Sequence, residues 1–230
     1  MKERVVASSS GTFSFDRRDL SRFLYDLYDY EPKLLRRLIS ARPYVCPFDE
    51  IERHVPPGAR LLDVGSGNGS LLAILLAAGR IREAVGCDVH EGALVSARTA
   101  AGRTGHGEQV SFQKIGGFED LPSDRFDVVT MIDVLHHIAE KDRARAVAQS
   151  LERVAPDGIF LFKDMVEGPF WRRLAHNLDD YIFSGEWVTQ VKTAALRRQV
   201  LESGFDLVEE REIPRLWYGN TLLVFRRQSK

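Results

Sequence analysis

"LLDVGSGNGS", residues 61–70, sets glycines at 65, 67 and 69 behind an apolar run, with one carboxylate, Asp63, just ahead of them. A dense apolar block from Leu71 to Ala78 follows. That order predicts a strand, a tight turn and a helix. Glycines at 65 and 67 let the backbone take positive φ and let a ligand approach without a Cβ in between. The turn feeds a helix N-terminus, whose N–H groups favour an anionic group. A dinucleotide fingerprint reads G-x-G-x-x-G, whereas this run reads G-S-G-N-G. A second acid, Asp88, closes the next strand in "VGCDVH". It arrives about 20 residues after the loop, the spacing that suits paired hydrogen bonds to two ribose hydroxyls. A ligand with adenosine and an amino acid, but no phosphates, fits this set. The competing reading is that the glycines only make a strand-to-helix turn.

The rest of the chain extends the strand–helix alternation. Strands are predicted at 60–64, 84–89, 109–114, 126–132 and 158–164, with helices at 68–79, 91–102 and 140–154 between them. Continuous apolar strands alternating with helices point to a parallel sheet covered on both faces. Before this core, residues 16–55 are helical and aromatic, broken at Pro32 and Pro43. After it come a helix at 168–183, a second at about 187–203 stopped by Gly204, and two closing strands, "FDLVEEREI" and "GNTLLVFRR".

Composition narrows the class. The 230 residues are 44% hydrophobic and 28% charged, with a net charge of −1. No global field draws the chain to nucleic acid or to an anionic membrane. Two cysteines, Cys46 and Cys87, are too few for a disulfide framework or a structural zinc site, and Cys87 reads as core. No apolar run reaches about 18 residues and the N-terminus lacks an apolar signal region, so a soluble cytoplasmic protein is expected.

"LLDVGSGNGS", "GCDVH", "FEDLP", "FDVVTMIDVLHHI" and "LERVAPDGIFLFKD" together resemble class I S-adenosylmethionine-dependent methyltransferases over residues 58–165. The resemblance implies an α/β fold, a doubly wound, mostly parallel seven-stranded sheet of order 3-2-1-4-5-7-6 whose seventh strand is antiparallel. Residues 1–55 would form a helical N-terminal cap or lid. Residues 56–230 would form the Rossmann-like core, with an acceptor-lid insertion at about 166–187. Asp63, Gly65, Ser66, Gly67 and Asn68 would surround the methionine part of S-adenosyl-L-methionine. Asp88 would hold the ribose and Val89 would pack on the adenine. Phe118 and Glu119 would cover the adenine edge. The stretch Met131 to His136, with Met131, Ile132 and Asp133 as cofactor contacts, would run beneath the cofactor near the methyl group. Many relatives carry an acid where this chain has Gly117, so Glu119 or a backbone carbonyl would have to meet the adenine amino group.

Methyl transfer from a sulfonium asks the protein to align an acceptor, exclude water and, for O–H acceptors, remove a proton. His136 and His137 follow the fourth strand at its carboxyl end, where ligands of open α/β sheets lie. His137 is the first candidate for the general base. His136 reads as the alternative base or as a residue packed on the cofactor loop. Asp133 is a cofactor-side acid or a solvated one. Lys163 and Asp164 end the fifth strand and would orient the acceptor or meet solvent. The spacing gives no metal motif, so no metal is expected. Tyr25, Tyr28, Tyr30 and Tyr44, with the aromatic residues of 168–187, would line an acceptor pocket or simply form core.

The resulting expectation is methyl transfer to oxygen, nitrogen or carbon of a small organic acceptor, in the biosynthesis of a specialised metabolite. The protein would be a monomer or homodimer, without nucleic-acid or membrane partners. The alternatives are a methyltransferase acting on RNA or protein, and a cofactor-binding protein of the same fold without methyl transfer. "IDVLHH" stands where exocyclic-amine nucleic-acid enzymes carry an Asn/Asp-Pro-Pro-aromatic run, and no basic patch interleaved with aromatics is present.

Overall fold

The computed structural model describes residues 13–165, 192–216 and 218–229. Its strands form one seven-stranded sheet of order β3-β2-β1-β4-β5-β7-β6, as the resemblance implies. The chain divides into two compact units, Met1–Asp120 and Leu121–Lys230.

The first unit opens with α1 (Arg17–Leu27), capped by the Asp16 carboxylate, which accepts from the Arg18 amide. Leu20, Leu24 and Leu27 recur at helical spacing and are buried. Pro32 ends the following turn and α2 (Lys33–Ala41) begins. A single turn at Arg42–Tyr44, around Pro43, leads to the short α3 (Phe48–Glu52). Then come β1 (Ala59–Val64), α4 (Ser70–Ala77), β2 (Ile81–Asp88), α5 (Glu91–Arg103) and β3 (Val110–Lys114). The three strands are parallel, with Leu62 opposite Val85 and Gly86 opposite Phe112. Helix α4 is buried from Ser70 to Leu76, which explains why its sequence shows a solid apolar block rather than a stripe.

In the second unit β4 (Phe126–Ile132) runs parallel to β5 (Val154–Met165), and α6 (Glu140–Glu152) connects them. Helix α7 (Thr193–Glu202) precedes the antiparallel hairpin of β6 (Phe205–Arg215) and β7 (Tyr218–Arg227), and β7 also pairs antiparallel with β5. The aromatic stripe expected at 168–183, with the lid at 166–187, lies outside the described residues.

Two strands start earlier than the apolar runs suggest. β2 begins at Ile81, which lies opposite Ala59, and exposed Glu83 lies opposite Arg60, with exposed Arg82 the extra residue between the two pairs. β5 begins at Val154, ahead of the Asp157–Gly158 dipeptide read as a turn into the strand. Phe126 pairs with Val154 but Val128 with Ile159, so the dipeptide is a bulge inside the strand, with Asp157 at φ 60°.

Candidate active site

In the first unit the glycine turn hangs from the end of β2. The Gly65 and Ser66 amides both donate to the Cys87 carbonyl, at 2.8 and 2.9 Å. The Gly67 amide donates to Asp88 Oδ2 at 2.8 Å. Gly65, Gly67 and Gly69 all have positive φ, a region in which other residues are strained. At Gly69, which caps α4, a Cβ would also lie 2.8 Å from the Ala97 Cβ. The turn therefore needs glycine for the backbone path and for the approach of α4 to α5.

The other oxygen of Asp88 accepts from the His90 amide at 2.9 Å and faces His90 Nδ1 at 3.1 Å. Both carboxylate oxygens thus have protein partners. Each oxygen offers two lone pairs, so the pair can still accept from hydroxyl groups. Val89, next in sequence, is 50% exposed, a large apolar side chain positioned for an apolar partner. Asp63 is buried at the end of β1. Cys87 is wholly buried, as its core reading expects; burial, then Asp63 and Asp88, push its thiol up to about 12.

Two observations test whether a ligand fits the turn. A Cβ placed on Gly67 would meet nothing within 4 Å, so the backbone there faces open space. The buried Ser66 hydroxyl has no hydrogen-bond partner among the described residues. A close-approach backbone, an orphaned hydroxyl and two carboxylates suit the amino-acid and ribose parts of S-adenosylmethionine.

Past β3, Phe118–Asp120 form a single turn, with Phe118 half-buried and Glu119 exposed. Its position is fixed by Asp120, whose Oδ2 accepts from the Gly116 amide at 2.9 Å and whose carbonyl accepts from Gln113.

The second unit gathers polar side chains at the carboxyl ends of β4 and β5. Met131 and Ile132 are buried, and Asp133 follows with φ 56°. The Asp133 amide donates to the Lys163 carbonyl, and Lys163 Nζ reaches Asp133 Oδ1 at 2.5 Å. The next residue on β5, Asp164, is fully buried and pairs with His136 Nδ1 at 2.5 Å. It also accepts from the amides of Met165, at 2.7 Å, and His136, at 3.3 Å. His136 is buried, whereas His137 is exposed and its ring lies 4.1 Å from that of His136. A carboxylate at Nδ1 holds the N–H on that nitrogen and directs the ring's lone pair to Nε2. The sequence offers His137 as the first candidate base and His136 as the alternative, and the structure gives His136 the carboxylate partner. The partner, Asp164, stood out only as a charge ending a buried strand.

Asp133, His136 and Asp164 offer ligand atoms within 4.8 Å of one another. The Lys163 ammonium and the His136 ring, however, already supply the positive or donor partner of each carboxylate. A divalent ion would have to displace both.

The N-terminal tyrosines are used differently from the acceptor-facing reading. Tyr28 is wholly buried and its hydroxyl donates to the Asn68 carbonyl at 2.7 Å. The Tyr30 hydroxyl donates to the Ser96 carbonyl on α5, also at 2.7 Å. Tyr25 stacks beneath the Arg36 guanidinium, 3.6 Å from the ring centre.

This sheet order, with a glycine turn after β1 and an acid ending β2, defines a class I S-adenosylmethionine-dependent methyltransferase. A family model described as a methyltransferase domain matches residues 33–210, and the chain belongs to that family. The chain is 28% identical over 166 residues to a ubiquinone biosynthesis O-methyltransferase of Hahella chejuensis, covering 70% of this chain and 68% of that one. It is 36% identical over 114 residues to a ribosomal protein L11 methyltransferase of Syntrophotalea carbinolica, covering 48% of this chain but only 34% of that relative's length. Among solved structures, the magnesium protoporphyrin IX methyltransferase of Synechocystis, determined with bound S-adenosylhomocysteine, superimposes with a TM-score of 0.66 at 18% identity, over 89% of this chain and 94% of the other. Among the described residues no helix is long and apolar enough to cross a membrane.

Proposed function

We propose that the protein methylates a hydroxyl group of a small organic acceptor, using S-adenosylmethionine. The buried His136–Asp164 pair, joined at 2.5 Å, carries this reading. An amine acceptor already presents a lone pair, whereas a hydroxyl gains from a base that takes its proton. Asp164 fixes the imidazole tautomer and Nε2 takes the proton. His137 packs against the ring of its neighbour.

When bound, S-adenosylmethionine supplies an electrophilic methyl group on a sulfonium. Asp63, Gly65, Ser66, Gly67 and Asn68 hold its methionine part, with the Ser66 hydroxyl as one donor. Asp88 accepts from the ribose hydroxyls, Val89 and Phe118 flank the adenine, and Glu119 accepts from the adenine amino group. Met131, Ile132 and Asp133 line the methyl-bearing side. Lys163, held on Asp133, keeps that carboxylate charge-matched.

The matches to ubiquinone biosynthesis O-methyltransferases support oxygen as the target atom and a biosynthetic role. A cytoplasmic monomer or homodimer without nucleic-acid partners agrees with the net charge of −1. The test is a mass-spectrometric screen for a gain of one methyl group across phenols, enols, amines, RNA and ribosomal protein. Methylated phenol or enol products are expected; methylation confined to amines or macromolecules refutes the proposal.

A further inference from the structure

We infer that Tyr28 is a positioning residue for the cofactor, locking the backbone of the glycine turn from behind, so that the N-terminal helices belong to the cofactor site. The Tyr28 hydroxyl, 40 positions upstream of Asn68, donates to the Asn68 carbonyl at 2.7 Å, and Tyr28 has no exposed surface. On the other side of the same residue, Ser70 Oγ donates to Asn68 Oδ1 at 2.7 Å. Asn68 is thereby held at both its main chain and its side chain, immediately after the Gly67 amide that is tied to Asp88. The turn that carries Tyr28 is itself pinned to α5. Asp29 meets Arg103 at 2.9 Å, and the Tyr30 hydroxyl donates to the Ser96 carbonyl. A hydroxyl buried this deeply contributes only if bonded, and it is bonded to the Asn68 carbonyl of the loop, with the Ser70 side chain that opens α4 beside it. Three successive residues, Tyr28, Asp29 and Tyr30, thus brace the glycine turn against the helix that follows β2.

The inference rests on the reading that sets the methionine part of the cofactor against this turn. Binding of S-adenosylmethionine, S-adenosylhomocysteine and 5′-methylthioadenosine, which lacks the amino-acid part, is measured by calorimetry on the full chain. Tyr28→Phe is expected to weaken the first two about tenfold and to leave 5′-methylthioadenosine within twofold, with the melting temperature nearly unchanged. Ser70→Ala, which loosens Asn68 from its other side, shows the same selective loss and decides the matter if Tyr28→Phe folds poorly. Gly67→Ala tests the placement separately, since it also costs the amino-acid-bearing ligands selectively. If Gly67→Ala is selective and neither Tyr28→Phe nor Ser70→Ala is, the clamp is refuted and the placement stands. If Gly67→Ala spares all three ligands, the placement fails and the inference with it.

Discussion

Gly67 and Asp88 are joined by one hydrogen bond, the Gly67 amide donating to Asp88 Oδ2 at 2.8 Å. The bond makes the acid at the end of β2, the proposed ribose acceptor, a strut of the loop beside it as well. Asp88→Ala therefore removes two things at once. It should weaken S-adenosylmethionine binding by about 1.5–3 kcal/mol, the range for hydrogen bonds to a charged acceptor. Asp88→Asn, which keeps one carbonyl oxygen, should lose less. Calorimetry checks both, and unchanged affinity in Asp88→Ala defeats the ribose assignment.

The order of importance of the two histidines is a second prediction. His136→Ala should lower kcat by ~10²-fold or more while cofactor affinity stays within twofold, as expected for loss of a general base. Asp164→Asn keeps the shape but not the charge, and should lower kcat at least ~10-fold. His137→Ala should stay within about threefold of wild type. Steady-state kinetics with the acceptor found by screening reads all three; a large loss confined to His137→Ala reverses the assignment.

Glu119 folds its carboxylate over the Gly117 backbone, where an added Cβ would lie 2.8 Å from Glu119 Cδ and Oε2. On the proposed reading, this carboxylate stands in for the acid that many relatives carry at 117. Gly117→Ala should displace Glu119 at little cost in stability, because the obstructing group is the end of a flexible side chain. Both Gly117→Ala and Glu119→Ala should weaken cofactor binding several-fold, and the double variant should lose no more than Glu119→Ala alone. Full additivity would show that Gly117 and Glu119 act separately.

Lys163 and Asp133 form a pair in which the lysine is almost wholly buried and the acid is 22% exposed at its side chain. Because an ammonium already neutralises this carboxylate, removal of divalent ions should leave turnover unaltered. Assays after exhaustive dialysis against a chelator check this, and activity restored only by added magnesium or zinc would overturn it.

Stability at high pH gives a further test. The Cys87 thiol has an ordinary value of 9.0 and is pushed up to about 12 in the fold by burial, then by Asp63 and Asp88. Between these values the unfolded chain gives up the proton and the folded chain keeps it, so stability is fully present below pH 9 and falls as pH rises. The slope from one such group is at most about 1.4 kcal/mol per pH unit. Buried Tyr28 adds to the decline above its ordinary value of 10.0, since burial also raises it. Thermal melts from pH 8 to 10 should show the fall beginning near pH 9, and Cys87→Ala should flatten the part below pH 10.

Much of this was readable in the chain. β4 spans Phe126–Ile132, the bounds given by its apolar run, because both ends are marked by charge. The glycine turn and Asp88 were legible because backbone conformation and ligand chemistry both restrict residue type there. Tyr28 was not, since an aromatic residue at helical spacing looks the same whether it fills a core or braces a loop. Nor was the His136–Asp164 pair, whose members lie 28 positions apart and meet only through the pairing of β4 with β5. The start of β5 was hidden by Pro156 and Asp157, residues that normally end a strand rather than interrupt one.

The kink at Asp157–Gly158 sets the phase of everything downstream on its strand. Neighbouring residues on a strand point to opposite sides, so Lys163 can serve Asp133 while Asp164 serves His136. Shortening the kink by one residue would exchange those sides, turning the lysine toward the imidazole and the acid toward another acid. The side-chain cluster proposed to carry the chemistry is thus timed by an irregularity some six residues upstream of it, at the opposite end of the strand.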